Sequence, residues 1–278
     1  MEEFNKMERI MKKITYLLMS LSLVTFVSCS DDKENEQSGS GNVPENSSWI
    51  LSSSGKERGH SYVDLGLPSG TKWAAWNVGA AVPQDYGYYY AWGETTTKEV
   101  YNWETYRFTT DGGSTITKYN STDSKATLEF SDDAAHVNWG GKWRMPIFEQ
   151  WSELSHECYW VWTDNYNNSN VKGYIVYKAK TSSDKGKCIY EGKTPSSSYK
   201  LYDAHIFLPA GGCRCDGDFY VIGYGAVGYY WSSSTFVDAS YGAWGFLLYS
   251  DFNGFSYGNY DESRNIGYTI RPVLNQKY

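Results

Sequence analysis

The sequence is poor in the residue patterns that build catalytic and metal centres. It contains only 4 His and 5 Cys. The histidines form no HExxH pair of the kind that holds catalytic zinc, and the serine run 232–234 has no Gly-x-Ser-x-Gly frame of a nucleophile elbow. Its carboxylates are scattered, which gives no specific signal for glycoside hydrolysis. These absences predict a protein that is not an enzyme, with no catalytic residue, no metal ligand and no cofactor.

Positive charge is also scarce. Lys and Arg number 25 against 32 Asp and Glu, which gives a net charge of −7, and the basic residues are not clustered. Nucleic-acid binding depends on a basic surface that neutralises phosphates. The composition therefore excludes nucleic acid as an expected partner.

The long apolar run near the N-terminus, residues 14–27, is too short for a membrane-spanning helix. Two lysines precede this run and Ser28 closes it, as in a cleaved secretory signal. Residues 11–28 are therefore predicted to be a lipoprotein signal peptide. Residues 1–10 contain three glutamates, which do not suit the positive region of a signal. We interpret them as a start assigned too far upstream.

The signal ends in residues 26–29 (FVSC), which resemble a bacterial lipobox. The resemblance implies that Cys29 is the lipidation site and carries acyl chains, palmitate among them, that anchor the chain in a membrane. The alternative is a plain signal peptide with an unrelated cysteine. Residues 30–34 (SDDKE) resemble the acidic tag of Bacteroidetes surface lipoproteins, or they are a solvated linker. We expect an outer-membrane, lipid-anchored protein that faces the cell exterior.

Residues 29–54 consist largely of Ser, Gly, Asn and acidic residues, with too little apolar surface to fold. They are predicted to form a flexible polar tether. Residues 55–278 contain no second low-complexity break and no repeat of 20–50 residues. We therefore expect one folded domain over 55–278.

Aromatic residues are abundant, with 12 Trp and 26 Tyr. The tryptophans supply a core, whereas the tyrosines either form a recognition surface or fill strand positions, where Tyr is favoured. Short β-branched and aromatic runs broken by Gly, Asn and Ser predict strands joined by long loops, for example at 173–178, 205–208 and 243–249. Strands therefore dominate the expected structure.

Two short helices are expected. The first begins near Ser131 and ends at the glycines 140 and 141, and the second begins at Pro146, with Trp151 and Leu154 on the apolar face that also includes Ile147. The fold class predicted from these patterns is α+β.

Five ordered motifs resemble the major paralogous domain first named from Fibrobacter succinogenes, which recurs in surface lipoproteins of gut bacteria. They are residues 62–73 (YVDLGLPSGTKW), 88–94 (YYYAWGE), 138–146 (NWGGKWRMP), 228–234 (GYYWSSS) and 267–273 (GYTIRPV). Within them we expect Trp143 and Trp231 in the core, and Arg144 stacked on an aromatic ring or paired with a carboxylate.

The third and fifth motifs are also similar to the formylglycine-generating-enzyme (sulfatase-modifying factor) superfamily. That resemblance implies a C-type-lectin-like fold, with two short helices packed on antiparallel sheets and long loops. Its copper chemistry would require paired cysteines near the C-terminal strands. No cysteine follows Cys215, so the resemblance does not carry the activity to this chain.

The cysteines of the domain are Cys158, Cys188, Cys213 and Cys215. In an exported chain they permit three disulfide pairings, and the sequence does not choose among them. Cys213 and Cys215 would form only half of a metal site, for which His205 is the nearest histidine. A metal- or thiol-dependent enzyme therefore stays a disfavoured alternative, beside thiols without a partner.

The segment 249–261 (YSDFNGFSYGNYD) has the composition of an antibody-like binding surface, rich in Tyr, Phe, Ser, Asn and Gly. In C-type-lectin-like proteins the ligand site lies on loops of this part of the fold, and in some it is diversified by a retroelement. The alternative is an ordinary surface loop. The predicted ligand-binding residues are Tyr241, Tyr249, Asp251, Phe252, Asn253, Phe255, Tyr257, Asn259, Tyr260 and Asp261.

The main functional hypothesis is a surface-anchored, non-enzymatic module for ligand binding or adhesion, with an extracellular protein or glycan as its ligand and the membrane as its anchor. The alternatives are a retroelement-diversified protein of the same fold, the disfavoured enzyme, and a structural component of the cell surface.

Overall fold

The computed structural model describes residues 53–215, 221, 223–235, 241–250 and 261–274, without the side chains of 261 and 262. All of them belong to the unit Glu45–Tyr278, into which the chain divides after Pro44. The predicted signal peptide, Cys29 and nearly all of the tether lie outside the described residues. Neither helix in the described part of the chain is long and apolar enough to cross a bilayer.

The described residues form a mixed α+β structure in which strands predominate, so the predicted α+β class is confirmed. The helices are α1 (Ala134–Trp139) and α2 (Phe148–Glu157). The strands are β1 (Gly55–Glu57), β2 (His60–Val63), β3 (Lys72–Ala74), β4 (Thr109–Thr110), β5 (Thr115–Ile116), β6 (Trp143–Arg144), β7 (Cys158–Thr163), β8 (Gly173–Lys178), β9 (Cys188–Ile189), β10 (His205–Pro209), β11 (Val227–Thr235), β12 (Gly242–Tyr249), β13 (Asp261–Ser263) and β14 (Val273–Leu274).

The strands form three sheets and a small pair, β4–β5. One sheet has the order β1-β2-β3-β14-β6, the second β10-β8-β7-β9 and the third β11-β12-β13. In the first sheet Val273 of β14 pairs with both Trp73 and Arg144, so the end of the described chain is bonded to its beginning. This closure brings the C-terminal motif 267–273 into the middle of the domain.

The three strands predicted at 173–178, 205–208 and 243–249 are confirmed as β8, β10 and β12. Five consecutive side chains of β8 and all five of β10 are buried, because both faces of these strands are covered. A continuous apolar run is the expected pattern for such strands.

Both helices exist, but they begin later than the sequence predicted. Ser131 lies in a preceding 3₁₀ turn, and α1 is capped by Asp133, whose carboxylate accepts the backbone N–H of His136 at 2.9 Å. The helix α2 begins two residues after Pro146. The carbonyl of Pro146 instead accepts the backbone N–H of Ser233 on β11 at 2.8 Å, which keeps the chain extended at this point. Trp151 and Leu154 are buried as predicted, whereas Ile147 precedes the helix as its N-cap residue and is only half-buried.

The core is built from large aromatic rings. Its buried indoles are Trp73, Trp92, Trp143, Trp151, Trp160 and Trp231. Trp92 donates its indole N–H to the carbonyl of Ser232, and Trp231 donates to that of Tyr90, each at 2.8 Å. Such partners remove the cost of burying an indole N–H. The predicted core positions of Trp143 and Trp231 are thus confirmed, and Arg144 stacks on Phe130 at 3.7 Å from the ring centre, as expected.

Two fully buried arginines connect this core. Arg271 donates to the side-chain oxygen of Asn77 at 2.7 Å and to the carbonyls of Ala74 and Phe207 at 3.0 and 2.6 Å. Arg264 lies over the Trp92 ring and donates to backbone carbonyls and a threonine hydroxyl. Buried N–H groups are costly without acceptors, and those of both arginines have them. Each arginine therefore links several segments of the core.

Candidate functional site

Most of the predicted binding residues lie outside the described residues. These are Asp251, Phe252, Asn253, Phe255, Tyr257, Asn259 and Tyr260. Asp261 begins β13, where its backbone pairs with Trp244 of β12, and its side chain is not described. Tyr241 and Tyr249 are the two whose surroundings the structure defines.

Tyr241 and Tyr249 stand at opposite ends of β12. Tyr241 donates its hydroxyl to the carbonyl of Ser114 at 2.9 Å and meets Trp103 edge to face at 5.5 Å. Tyr249 pairs with Val227, and its carbonyl accepts the Tyr174 hydroxyl at 3.0 Å. Eight residues of extended chain separate them by about 26 Å. The structure therefore does not bring these two predicted residues into one site.

Three tyrosines and one arginine that the sequence prediction missed lie together at the Tyr249 end of this sheet. We call them the tyrosine cluster; its members are Tyr86, Tyr89, Tyr224 and Arg214. The turn carrying Tyr224 leads directly into Val227, the partner of Tyr249, and the segment carrying Arg214 bridges to β11 through Gly212 and Gly228. The cluster thus lies at the end of the β11–β12 pair at which residues 251–260 leave the sheet.

Close packing holds Tyr86 and Tyr89 in the cluster. A side chain at Gly211 would come within 2.8 Å of the Tyr86 ring, so this ring lies directly on the glycine backbone. The Tyr89 hydroxyl donates to the carbonyl of Gly211 at 2.5 Å, and the Tyr101 hydroxyl donates to the carbonyl of Tyr89 at the same distance. The two tyrosines are therefore positioned before any ligand arrives.

The buried Arg271 supports the same segment. Its Asn77 partner uses the amide nitrogen of the same side chain to donate to the carbonyl of Tyr86 at 2.8 Å. A chain of two hydrogen bonds therefore leads from the core to the surface. Such support fixes a binding residue more precisely than a loop would alone.

Tyr224 is presented by a tight turn. Gly223 and Gly225 on either side of it have φ values of 76° and 73°, in the region that favours glycine. The N–H of Gly225 donates to the carbonyl of Ala210 at 2.8 Å, which ties the turn to the segment beneath it. The Tyr224 side chain is 62 % exposed and its ring centre lies 4.7 Å from that of Tyr86. An anchored backbone thus carries an exposed aromatic ring.

Arg214 supplies the charge of the cluster. Its backbone is held at both ends, donating to and accepting from Gly267 at 2.9 and 2.8 Å. Its guanidinium lies 5.7 Å from the centre of the Tyr89 ring, and its Nε is buried without a hydrogen-bond partner. No carboxylate of the described residues forms an ion pair with it. A buried N–H without an acceptor costs about 1–3 kcal/mol, so this nitrogen does not add to stability as it stands.

Burial also affects the tyrosine hydroxyls. It raises the pKa of Tyr86 well above its ordinary value, and the neighbouring Tyr224 adds to this effect. Burial likewise raises the pKa of Tyr89, while the charge of Arg214 works in the opposite direction. Both hydroxyls are therefore neutral at physiological pH, and that of Tyr89 already donates its one hydrogen to the carbonyl of Gly211, so it can only accept a further bond.

A concave region lies beside α2, away from the tyrosine cluster. It is a small apolar hollow with an empty volume of about 260 Å³ that includes space open to solvent, lined by Phe148, Trp151, Ser152, Ser232, Trp244, Gly245 and Phe246. Binding sites usually combine an apolar wall with several converging polar groups. The hollow offers only two serines, so the tyrosine cluster is the stronger candidate.

The described cysteines and histidines are the remaining candidates for a reactive centre. No disulfide joins the four described cysteines to one another, and burial raises the pKa of Cys158 strongly and that of Cys188 to about 11. A reactive cysteine needs the opposite shift. His205 contacts the Tyr166 hydroxyl and the Asp203 carbonyl through its two nitrogens. Among the described residues, no three His, Cys, Asp or Glu side chains meet to hold a metal ion.

One serine pattern was missed in the sequence. Residues 254–258 read GFSYG, the spacing of a nucleophile elbow, and they lie outside the described residues. That elbow requires a strand followed by a helix. The next element that the structure describes is β13, which pairs antiparallel with β12.

Comparison with known proteins identifies no relative: no family model, no curated protein and no solved structure matches the chain.

Proposed function

We propose that this chain is a non-enzymatic binding module that captures an extracellular protein or glycan through the tyrosine cluster. The observation that carries the proposal is the exposed Tyr224 ring, which lies tilted against that of Tyr86 over a backbone held by hydrogen bonds to the core. Tyrosine is well suited to recognition because it offers a large contact area at low entropy cost and a hydroxyl for hydrogen bonding. Preformed aromatic anchors reduce the ordering cost of binding.

The predicted loop 249–261 belongs to the same proposal. It begins at Tyr249 and Ser250, and the carbonyl of Ser250 accepts the backbone N–H of Glu191 at 3.1 Å. Both ends of residues 251–260 are thus tied to strands or to their neighbours. We include the predicted loop residues with the tyrosine cluster in one binding surface, and we leave Tyr241 out of it because of its position.

We also propose that the domain has a C-type-lectin-like fold. The pairing of β14 with β3, the two short helices and the long connections between antiparallel strands support this assignment. The five motifs of the sequence are spread through the domain, and three of them contain the buried residues Trp143, Trp231 and Arg271. Fold alone does not determine function, so the binding role depends on the cluster.

The location that we propose is the outer membrane, with Cys29 carrying the lipid. It is supported by the signal-like residues 11–28 and by the polar composition of 29–54, which suits a tether. Labelling with radioactive palmitate tests it. The expected result is incorporation into the chain and none into a Cys29→Ala variant, and equal labelling of both would contradict the proposal.

Binding to intact target cells or to an array of glycans and surface proteins tests the function. We expect Tyr224→Ala to reduce binding by about 10-fold or more, because exposed aromatic anchors commonly contribute over 1 kcal/mol. The matched control is Tyr202→Ala, which removes another exposed tyrosine, 66 % accessible, outside the cluster. Equal binding by both variants and the native chain would contradict the proposal.

A further inference from the structure

Arg214 is the one member of the tyrosine cluster whose chemistry selects among ligands. Its backbone is fixed against Gly267, whereas its side chain makes no hydrogen bond or ion pair to the described residues. The arginines 264 and 271, by contrast, are satisfied by several acceptors each. A guanidinium whose donors have no acceptor among the described residues matches a carboxylate, which accepts two parallel N–H bonds.

The groups around Arg214 are faces and hydroxyls of tyrosines. Its guanidinium lies beside the Tyr89 ring, which packs with Tyr86 around Gly211, and the exposed Tyr224 ring lies beside Tyr86. Aromatic faces stack on the C–H faces of sugar rings, and tyrosine hydroxyls bond to sugar hydroxyls. The surroundings therefore suit a hydroxylated ring better than an apolar ligand.

The charge of the whole chain limits how acidic the ligand is. The net charge is −7, so a ligand with many negative charges is repelled at long range. One arginine neutralises one carboxylate. An acidic peptide or a polyanion is disfavoured by this balance, whereas an otherwise neutral glycan with an isolated acidic sugar is not.

We propose that the tyrosine cluster binds a glycan that bears a sugar carboxylate, such as a uronic or sialic acid, with Arg214 pairing with the carboxylate and the tyrosines contacting the ring. This inference rests on the proposed binding function and specifies its ligand class.

The test is binding of the full chain, in detergent, to an array of defined oligosaccharides. The array carries galacturonate, glucuronate and sialate oligosaccharides, the methyl esters of each, matching neutral sugars and a Glu-rich peptide. We expect binding to at least one carboxylated sugar and about 10- to 100-fold weaker binding to its methyl ester, the range for losing a charge-assisted hydrogen-bonded pair. Arg214→Gln should reduce binding to the level of the ester.

Two variants act as controls. Arg214→Lys retains the positive charge but not the two parallel N–H donors of the guanidinium, so its affinity should lie between those of Arg214→Gln and the native chain. Arg58→Gln removes the same charge from the exposed β1–β2 turn and should bind like the native chain. Near-ultraviolet circular dichroism of the tryptophans checks that each variant is folded.

The outcomes separate this inference from the broader proposal. If no carboxylated sugar binds, or if esterification and Arg214→Gln change nothing, the carboxylate assignment is wrong. Preference for the Glu-rich peptide would also overturn it. The binding function would survive any of these results if a neutral glycan or a protein bound and Tyr224→Ala weakened that binding. It would fail if Tyr224→Ala had no effect on any ligand found.

Discussion

Two arginine environments in this domain differ sharply: one belongs to the architecture of the core, and the other belongs to the surface for which we propose recognition. Arg271 is fully buried, and it donates to an asparagine and two backbone carbonyls. Arg214 is half-buried, and its Nε has no acceptor. Burial lowers the pKa of Arg271 to about 10, so that it is still a cation at neutral pH. The first arginine contributes to stability, whereas the second is kept at a cost.

The two regions are nevertheless connected. Arg271 orients Asn77, and Asn77 holds the backbone of Tyr86 in the cluster. The aromatic core therefore acts as the rigid support of the surface that we propose to bind ligand. The comparison predicts that core substitutions change stability first, and that cluster substitutions change binding with little change in stability.

The largest expected effect follows from Arg271→Met. The substitution leaves three buried acceptors without their donor, which we expect to cost about 3–5 kcal/mol of the free energy of unfolding. Urea unfolding followed by tryptophan fluorescence measures it. Lys172→Met is the surface control: Lys172 pairs with Asp164 at 3.3 Å, and the two side chains are 43 % and 52 % exposed, so it should cost under about 1 kcal/mol. Equal effects of the two substitutions would remove the distinction between core and surface.

A buried carboxylate of the core gives a pH-dependent effect. Burial raises the pKa of Asp133 to about 6, although it accepts backbone N–H bonds from His136 and Met145. Because the unfolded carboxyl titrates near 4, its contribution to stability is fully present below about pH 4 and is lost as the pH rises to about 6. The expected loss is roughly 2–3 kcal/mol.

Unfolding of the native chain and of Asp133→Asn from pH 4 to pH 7 isolates this contribution. The difference between their unfolding free energies should change by that amount across the range and be constant above about pH 7. A difference that is flat from pH 4 to pH 7 would show that Asp133 titrates normally.

A smaller effect is expected where the two regions meet. Tyr86→Ala removes the ring that packs on Gly211 and Tyr224, at a cost of about 1–2 kcal/mol, with a loss of ligand binding. Tyr86→Phe keeps the ring and should cost under about 1 kcal/mol. Thermal unfolding compares the two variants with the native chain. A Tyr86→Phe variant as unstable as Tyr86→Ala would mean that the hydroxyl, and not the ring, provides the stability.

The smallest effect on stability is expected for Arg214→Gln. Because the side chain of Arg214 has no acceptor to lose among the described residues, the free energy of unfolding should change by no more than about 0.5 kcal/mol. A loss above 1.5 kcal/mol in urea unfolding would place Arg214 with the structural arginines and weaken the recognition role. This measurement also supports the binding experiment, since it shows that the variant is folded under the same conditions.

Several local features were predictable from the sequence. The strands β8, β10 and β12 follow from runs of β-branched and aromatic residues, and the core positions of Trp143 and Trp231 follow from their motifs. The helix starts were less accurate, because contacts with distant groups moved them. The carbonyl of Pro146 is bound by Ser233 of β11, which no local rule anticipates.

The sequence by itself determined the α+β class, the main strands and the aromatic core, because these depend on local propensity and on the alternation of buried side chains. Only the tertiary structure decided where the candidate site lies. Tyr89 and its partner Gly211 are separated by 122 residues, and Tyr224 lies further still along the chain. These residues meet because of sheet pairing and chain closure, which act between segments that no sequence window contains together. The same pairing separates Tyr241 from Tyr249 by the length of one strand.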